Sequence, residues 1–326
     1  MMGFSDVRSP PLPTSAGAKA LRAALKASVV IRARNEAGTI GRVLEAVKEQ
    51  TVKPAEIIVI DSGSTDATVD IARSHDVRLL TMKPGDFTYG GALNFGSAKA
   101  NFQIVVFLSA HAVPQSRRWL EAMLAPFNDE RVAAVFGRQM PHPDCHPIEA
   151  LEIRRAYRRT VRRYSKEPPF SAANGAVRRE LAIWIPFNGR VTYAEDQIWA
   201  RKICKRGWSV AYAPKAAVYH SHNESWREVF LRQRREIRES AVHLDLNSAL
   251  KHWWILPFAL TWGLARDAVR LLFSSRSVGW FFRAPAYRYA KVMGAWYGFR
   301  DAKEKSPYAK VMGAWYGPRD GKERNR

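Results

Sequence analysis

Four groups of residues in this chain have the types and spacing to do chemistry. Glu195-Asp196 sets two adjacent carboxylates at the start of a predicted helix. Acidic residues suit the first turn of any helix because the N-terminal dipole stabilises them. From spacing alone, Asp196 therefore reads equally as a helix-start acid or as a general base. The run Ile57-Ile-Val-Ile-Asp-Ser-Gly-Ser-Thr-Asp-Ala-Thr68 delivers Asp61 to the end of a short apolar strand. Its carboxylate can accept a strong hydrogen bond from a pyrimidine N3–H. The alternative is a plain strand–turn–helix in which Ser64 or Thr65 caps the helix.

His220 and His222 stand two apart in a predicted strand, so both imidazoles face the same side. They form one metal-binding edge or two half-exposed strand-end histidines. In Arg232-Gln-Arg-Arg-Glu236, the guanidinium forks of Arg232 and Arg235 match phosphate oxygens. A solvated charge run is the alternative.

The elements that must position these groups read as an α/β chain. Short β-branched runs alternate with amphipathic segments, the pattern of a mostly parallel sheet flanked by helices. Strands are predicted at Ser28–Ile31, Glu56–Ile60, Val77–Thr81, Ile104–Leu108 and Val132–Phe136. Helices are predicted at Thr39–Gln50, from Thr65, near Leu93–Ala100 and over Trp119–Phe127. Further helices are expected over Ile153–Tyr164, from Glu195, and from Ser225 to about Ser240. The first of these would carry Arg154, Arg155, Arg158, Arg159, Arg162 and Arg163 as one basic stripe. In open sheets, ligands bind at the carboxyl ends of the strands. Residues 1–27, rich in proline, serine and alanine, read as a disordered lead-in without the apolar run of a signal peptide.

Composition narrows the partners. Lys+Arg 52 against Asp+Glu 30 leaves a net charge of +22 in 326 residues, which calls for an anionic partner. No helix-turn-helix, RRM or zinc pattern accompanies the charge, which argues against nucleic acid. Cys145 and Cys204 form no CxxC pair, so a disulfide framework or zinc ribbon is disfavoured and a reducing, cytoplasmic compartment is expected. No GxGxxG follows the first strand and no GxxxxGK[ST] exists, which disfavours dinucleotide and P-loop sites.

A family resemblance ties the groups together. Ser28-Val-Val-Ile-Arg-Ala-Arg-Asn-Glu36 and Val59-Ile-Asp-Ser-Gly-Ser-Thr-Asp66 are followed by Tyr89-Gly-Gly-Ala-Leu-Asn94 and Val106-Phe-Leu-Ser-Ala-His-Ala-Val-Pro114. Then come Phe136-Gly-Arg-Gln-Met-Pro141, Ser171-Ala-Ala-Asn-Gly-Ala176, Tyr193-Ala-Glu-Asp-Gln-Ile-Trp199 and Val218-Tyr-His-Ser-His222. Over about residues 28–240 this order resembles the bacterial family 2 glycosyltransferases, in their rhamnosyltransferase-like branch. The resemblance implies a GT-A fold over 28–243 and inverting transfer from a nucleotide-sugar, dTDP-L-rhamnose by preference, to a saccharide or polyprenyl-linked acceptor in cell-surface polysaccharide synthesis. It implies Asp196 as general base beside Glu195. Arg34, Glu36 and Asp61 would touch the nucleoside, and Asn94, Asn174, Arg232 and Arg235 the rest of the donor. A catalytically inactive relative and a nucleotidyltransferase are the alternatives.

One position departs from the family pattern. His111 stands where the family places an aspartate that holds a divalent ion with the donor diphosphate. With His220 and His222 it would make a metal site better suited to Mn²⁺ than to Mg²⁺.

The tail, 244–326, reads as helical, basic and aromatic, with Trp253, Trp254, Trp262, Trp280, Trp296 and Trp315. Such a surface suits an anionic membrane at the inner face, bound peripherally; internal packing or a homodimer interface would use the same residues. Tyr289–Gly298 recurs letter for letter at Tyr308–Gly317, which reads as a duplication with a dispensable second copy.

Overall fold

The computed structural model describes residues 25–244, 248–249, 252–272 and 278–304. Most of the expected lead-in and the whole second copy of the repeat lie outside the described residues. The first half alternates as the sequence predicts: β1 (Ala27–Ala33), α1 (Ile40–Lys48), β2 (Glu56–Asp61), α2 (Thr68–Arg73), β3 (Arg78–Thr81), α3 (Tyr89–Lys99) and β4 (Ile104–Ser109). There follow β5 (Val113–Pro114), α4 (Trp119–Leu124), β6 (Val132–Met140), α5 (Pro147–Ala156), β7 (Arg162–Tyr164) and β8 (Asn174–Arg178). The chain continues through α6 (Arg179–Trp184), α7 (Glu195–Cys204), β9 (Ser209–Tyr219), α8 (Trp226–His243), α9 (Leu256–Leu272) and α10 (Val278–Glu304).

The strands join one sheet in the order β3-β2-β1-β4-β8-β6-β9-β5, with β7 on β9. β1 pairs in parallel with both β2 and β4, and β2 with β3. Beyond β4 the sheet turns mixed, because β8 runs antiparallel between β4 and β6. Parallel pairing returns between β6 and β9, so the sheet is parallel in its first half and mixed in its second. Alternation along each strand supplies both faces of the sheet. Val29, Ile31, Val106 and Leu108 enter one core with α1 and α4, while Val30, Val105 and Phe107 enter another with Leu93, Leu181 and Trp199. Each such side chain contributes about 1.5–3 kcal/mol when fully buried.

The predicted helix over Ile153–Tyr164 is corrected. α5 stops at Ala156, where Tyr157 leaves helical geometry with φ −108° and ψ 83°. Tertiary bonds outweigh helical propensity here. The Tyr157 carbonyl accepts from Arg138 Nε at 3.2 Å, the Arg158 carbonyl accepts from Tyr212 Oη at 2.6 Å, and Arg162–Tyr164 pairs with β9. The six arginines are therefore exposed on a helix end, a loop and an edge strand rather than along one stripe.

The first copy of the repeat lies in α10 and docks along α8. A Cβ on Gly294 would come within 2.6 Å of the Phe230 carbonyl, and one on Gly298 within 2.6 Å of the Arg234 carbonyl. Only glycine allows the two backbones this close. Arg234 then grips Asp301 through Nε at 2.5 Å and Nη2 at 2.9 Å. The tail thus begins as internal packing. Gly298→Leu should force α10 off α8 and destabilise the protein by about 1–3 kcal/mol, read as a lower Tm. Removal of everything after Pro307 should leave Tm unchanged; a comparable loss would show that the second copy is not redundant.

Candidate active site

Strand ends gather the site. β1 runs out into Arg34, Asn35 and Glu36, β2 ends at Asp61, and His111 lies just beyond β4. The parallel pairing sets Arg32 beside Ser109 and Ala33 beside Asp61, so the three loops emerge together. β9 ends at Tyr219, and His220 and His222 follow it rather than lying on it as expected. The His220 N–H still bonds the Met140 carbonyl at 2.7 Å, which holds the segment against β6.

His111, His220 and His222 do converge. Their ligand-type ring atoms all lie within 4.8 Å of one another, with His220 buried and His222 exposed. His111 stacks on His220 with ring centroids 4.8 Å apart and planes 10° from parallel. His111 Nε2 lies 3.1 Å from His220 Nε2. Burial, reinforced by the neighbouring histidines, pushes the His220 pKa well below its ordinary value, so this imidazole is neutral. Glu149, buried under the loop, accepts the His222 N–H at 3.0 Å and the Asn223 N–H at 3.3 Å. Three imidazole nitrogens in one cluster suit a borderline transition ion and suit Mg²⁺ poorly.

Glu195 and Asp196 open α7 as the sequence predicts. Asp196 accepts the Ala172 N–H at 2.9 Å on Oδ2 and the Gln197 N–H at 2.8 Å on Oδ1, so each oxygen keeps a lone pair. The helix dipole was expected to hold Asp196 ionised, but desolvation by burial outweighs it and raises its pKa. Burial and then the Asp196 charge raise Glu195, with Arg32 opposing. A raised carboxylate is better matched to proton abstraction near neutral pH than an ordinary one.

Several of the expected ligand contacts also make hydrogen bonds within the chain. Asn174 is fully buried, accepting from the Trp119 indole at 2.9 Å and donating to the Ala216 and Arg138 carbonyls, so no sugar reaches it. Asn94 is spent on the backbone of Phe187, donating to its carbonyl at 2.9 Å and accepting its N–H at 2.8 Å. It braces the segment leading to Glu195. Asp61 is buried and accepts from the Gly63 N–H, the Ser64 N–H and the Ser64 hydroxyl, which folds the loop back on the strand end. α2 begins at Thr68 rather than Thr65, and Asp66 accepts the Thr68 N–H at 3.0 Å. Glu36 faces the histidines, not the nucleoside side: Oε1 lies 2.7 Å from His111 Nδ1 and Oε2 accepts from Thr39 Oγ1 at 3.0 Å. Arg34 is exposed. Arg232 bonds Glu224 at 2.6 Å, and Arg235 lies half-buried on the same helix.

Arg32 was missed by the sequence reading. Its Nε and Nη1 are buried without a hydrogen-bond partner, and its guanidinium lies 5.9 Å from the Tyr89 ring centre. Its charge acts on Glu195, Asp196 and His220. An arginine in an apolar strand was the available signal, since strands buried on both faces seldom carry one. Backbone strain marks the same region. Among the described residues, the left-handed non-glycine residues are Asn35 (φ 55°), Ala194 (φ 62°) and Asn223 (φ 51°). Each abuts a site residue: Glu36, Glu195 and His222.

Comparison with known proteins identifies the setting. The family model described as Glycosyl transferase family 2 matches residues 28–184. The O-antigen chain rhamnosyltransferase WbaN of Salmonella anatum is 34% identical over 199 residues, covering 57% of this chain and 63% of that protein. Its counterpart RfbN of Salmonella typhimurium is 31% identical over 223 residues, covering 64% of this chain and 70% of the relative. Among solved structures, a mannosyltransferase of Pyrobaculum calidifontis, in complex with GDP-Man and Mn²⁺, superposes with a TM-score of 0.59 at 22% identity, covering 86% of this chain and 88% of that one. Glucosyl-3-phosphoglycerate synthase of Mycobacterium tuberculosis, with Mn²⁺ and UDP, follows at 0.54 and 21%, covering 74% and 88%. At these identities the structural likeness establishes the GT-A fold alone. With the motifs, the family model and a relative matched over most of its length, the chain belongs to glycosyltransferase family 2.

Proposed function

We propose that the protein transfers a sugar, by preference L-rhamnose from its dTDP donor, to a saccharide or polyprenyl-linked acceptor with inversion, as a step in cell-surface polysaccharide synthesis. The observation that carries this reading is the pair of carboxylates raised by burial beside an unpartnered arginine and a histidine cluster, in a chain related to O-antigen rhamnosyltransferases. A single displacement needs one base, one electrophile and one stabilised leaving group. Asp196 takes the acceptor hydroxyl proton as the oxygen attacks C1. The bond from C1 to the diphosphate oxygen breaks on the opposite face, and the nucleoside diphosphate leaves with the electron pair. Arg32 offers two buried donors to the oxygens that gain charge, and a buried fork is worth more there than in water. Arg232 and Arg235 would close over the diphosphate from α8. His111, His220 and His222 would hold a divalent ion, Mn²⁺ in preference to Mg²⁺, which when bound supplies positive charge to the diphosphate.

A peripheral position at the inner face of the membrane is supported by α9, which is built inside out. Asp267, at 1% exposure, is held by Arg288 through two bonds of 2.7 Å, while Trp254, Phe258 and Trp262 are 61–63% exposed at four-residue spacing. Aromatic rings of this kind favour the headgroup boundary. The exposed arginines after α5 would add about 1 kcal/mol each near an anionic leaflet. Among the described residues no helix is long and apolar enough to cross a membrane.

A panel of sugar nucleotides, each with Mn²⁺ or Mg²⁺, should raise Tm most for dTDP-L-rhamnose with Mn²⁺. No shift with any sugar nucleotide would remove the functional reading. Asp196→Asn should lower kcat about 10²–10⁴-fold with little change in donor affinity, and the product should be inverted; near-normal turnover or a retained configuration would overturn the mechanism. Activity should fall as pH drops through the raised carboxylate range. Because the folded pKa of Glu195 is raised, its favourable contribution to folding is complete below the unfolded pKa and is lost as pH rises through the folded one. Glu195→Gln should therefore raise Tm at pH 8 relative to wild type and flatten the dependence, whereas a lower Tm at pH 8 would contradict the burial argument. Replacing Trp254, Phe258 and Trp262 with serine should abolish co-sedimentation with phosphatidylglycerol vesicles. Unchanged binding would defeat the membrane assignment, and loss of a concentration-dependent dimer instead would point to a homodimer surface.

A further inference from the structure

The hydrogen-bond chain through the histidine cluster fixes which nitrogen of each ring carries the proton. Gln139 Nε2 lies 2.9 Å from Ser171 Oγ, and its Oε1 faces His220 Nδ1 at 2.9 Å. An amide oxygen only accepts, so the His220 Nδ1 must carry hydrogen and its Nε2 a lone pair. A carboxylate likewise accepts, so Glu36 Oε1, 2.7 Å from His111 Nδ1, demands hydrogen there too. Glu36 cannot turn away, because Thr39 Oγ1 donates to its other oxygen and its own N–H is bonded to Thr68 Oγ1 at 2.7 Å. With hydrogen on Nδ1 of each ring, the two Nε2 atoms face each other across 3.1 Å.

Such an arrangement places both Nε2 atoms, with a ring nitrogen of His222, where they could share one ion. Two nitrogens each about 2.1 Å from one ion, in tetrahedral or octahedral geometry, are about 3.0–3.4 Å apart, and the observed separation falls in that interval. We propose that Glu36 and Gln139 are positioning residues that hold His111 and His220 as Nδ1–H tautomers, so that both Nε2 lone pairs, joined by a ring nitrogen of His222, form an all-imidazole site for one borderline divalent transition ion. The proposal rests on the metal-assisted reading above and deepens it. It also explains the left-handed Asn35 and Asn223: one aims Glu36 at His111, the other secures the loop that carries His222.

The test uses Co²⁺ alone, without donor or acceptor, on the full chain. Binding is read from the visible absorption of the bound ion and by competition with a chromophoric chelator, with circular dichroism confirming the fold. Wild type should bind one Co²⁺ per chain with nitrogen-type absorption, undisplaced by excess Mg²⁺. Glu36→Met and Gln139→Leu should each weaken affinity about 10–100-fold, while Gln139→Glu, which keeps an acceptor facing Nδ1, should restore most of it. Wild-type affinity in Glu36→Met and Gln139→Leu, easy displacement by Mg²⁺, or no Co²⁺ binding by wild type would each overturn the proposal. Sugar transfer is assayed separately: failed transfer with intact Co²⁺ binding counts against the enzymatic reading alone.

Discussion

The site depends on the register of β1 between β2 and β4. Pairing of Arg32 with Ser109 and of Ala33 with Asp61 brings three loops out at one sheet edge, and it decides that Glu36 meets His111. Side chains alternate along a strand, so a slip of one residue would exchange the two cores and turn Arg32 to the other face. β4, apolar from Ile104 to Leu108 and buried on both sides, fills both cores at once. The strand ends that carry the candidate site are thus backed by two buried apolar cores.

Against that rigid edge, the site itself carries energetic costs. Two carboxylates lie adjacent and desolvated, an arginine keeps donors without partners, and three non-glycine residues hold left-handed backbones, each costing about 1–3 kcal/mol. The braces act in the opposite direction. Asn94 clamps the strand-like segment before Glu195, Asn174 joins the Trp119 indole to the β6 and β9 backbones, and Glu149 holds the His222 loop. Their polarity serves position rather than contact with ligand.

The C-terminal helices extend the same logic outward. Glycines at 294 and 298 let α10 lie directly on α8, so the helix bearing Arg232 and Arg235 is backed by a close-packed partner. α9 is then anchored on α10 by the buried Asp267–Arg288 pair, which leaves its aromatic residues outward.

Local pattern alone determined a good deal of this protein. Short β-branched runs predicted β1, β2 and β4, and helices were expected to start at Ser225 and Glu195, where α8 and α7 begin. The convergence of His111 with His220 was legible only through motif order, since the residues are 109 apart in the chain. What tertiary structure decided was the fate of polar side chains. Asn94, Asn174 and Asp61 look like ligand contacts in sequence, yet each is consumed by backbone groups supplied from other elements or its own turn. Arg32 looked like part of a strand, yet it keeps its donors free in the site. The helix forecast through Tyr164 failed for the same reason: Arg138, Tyr212 and β9 offered Tyr157 and the arginines after it better partners than a helix could. Hydrogen-bond satisfaction is a property of the folded neighbourhood, and a sequence read residue by residue does not contain it.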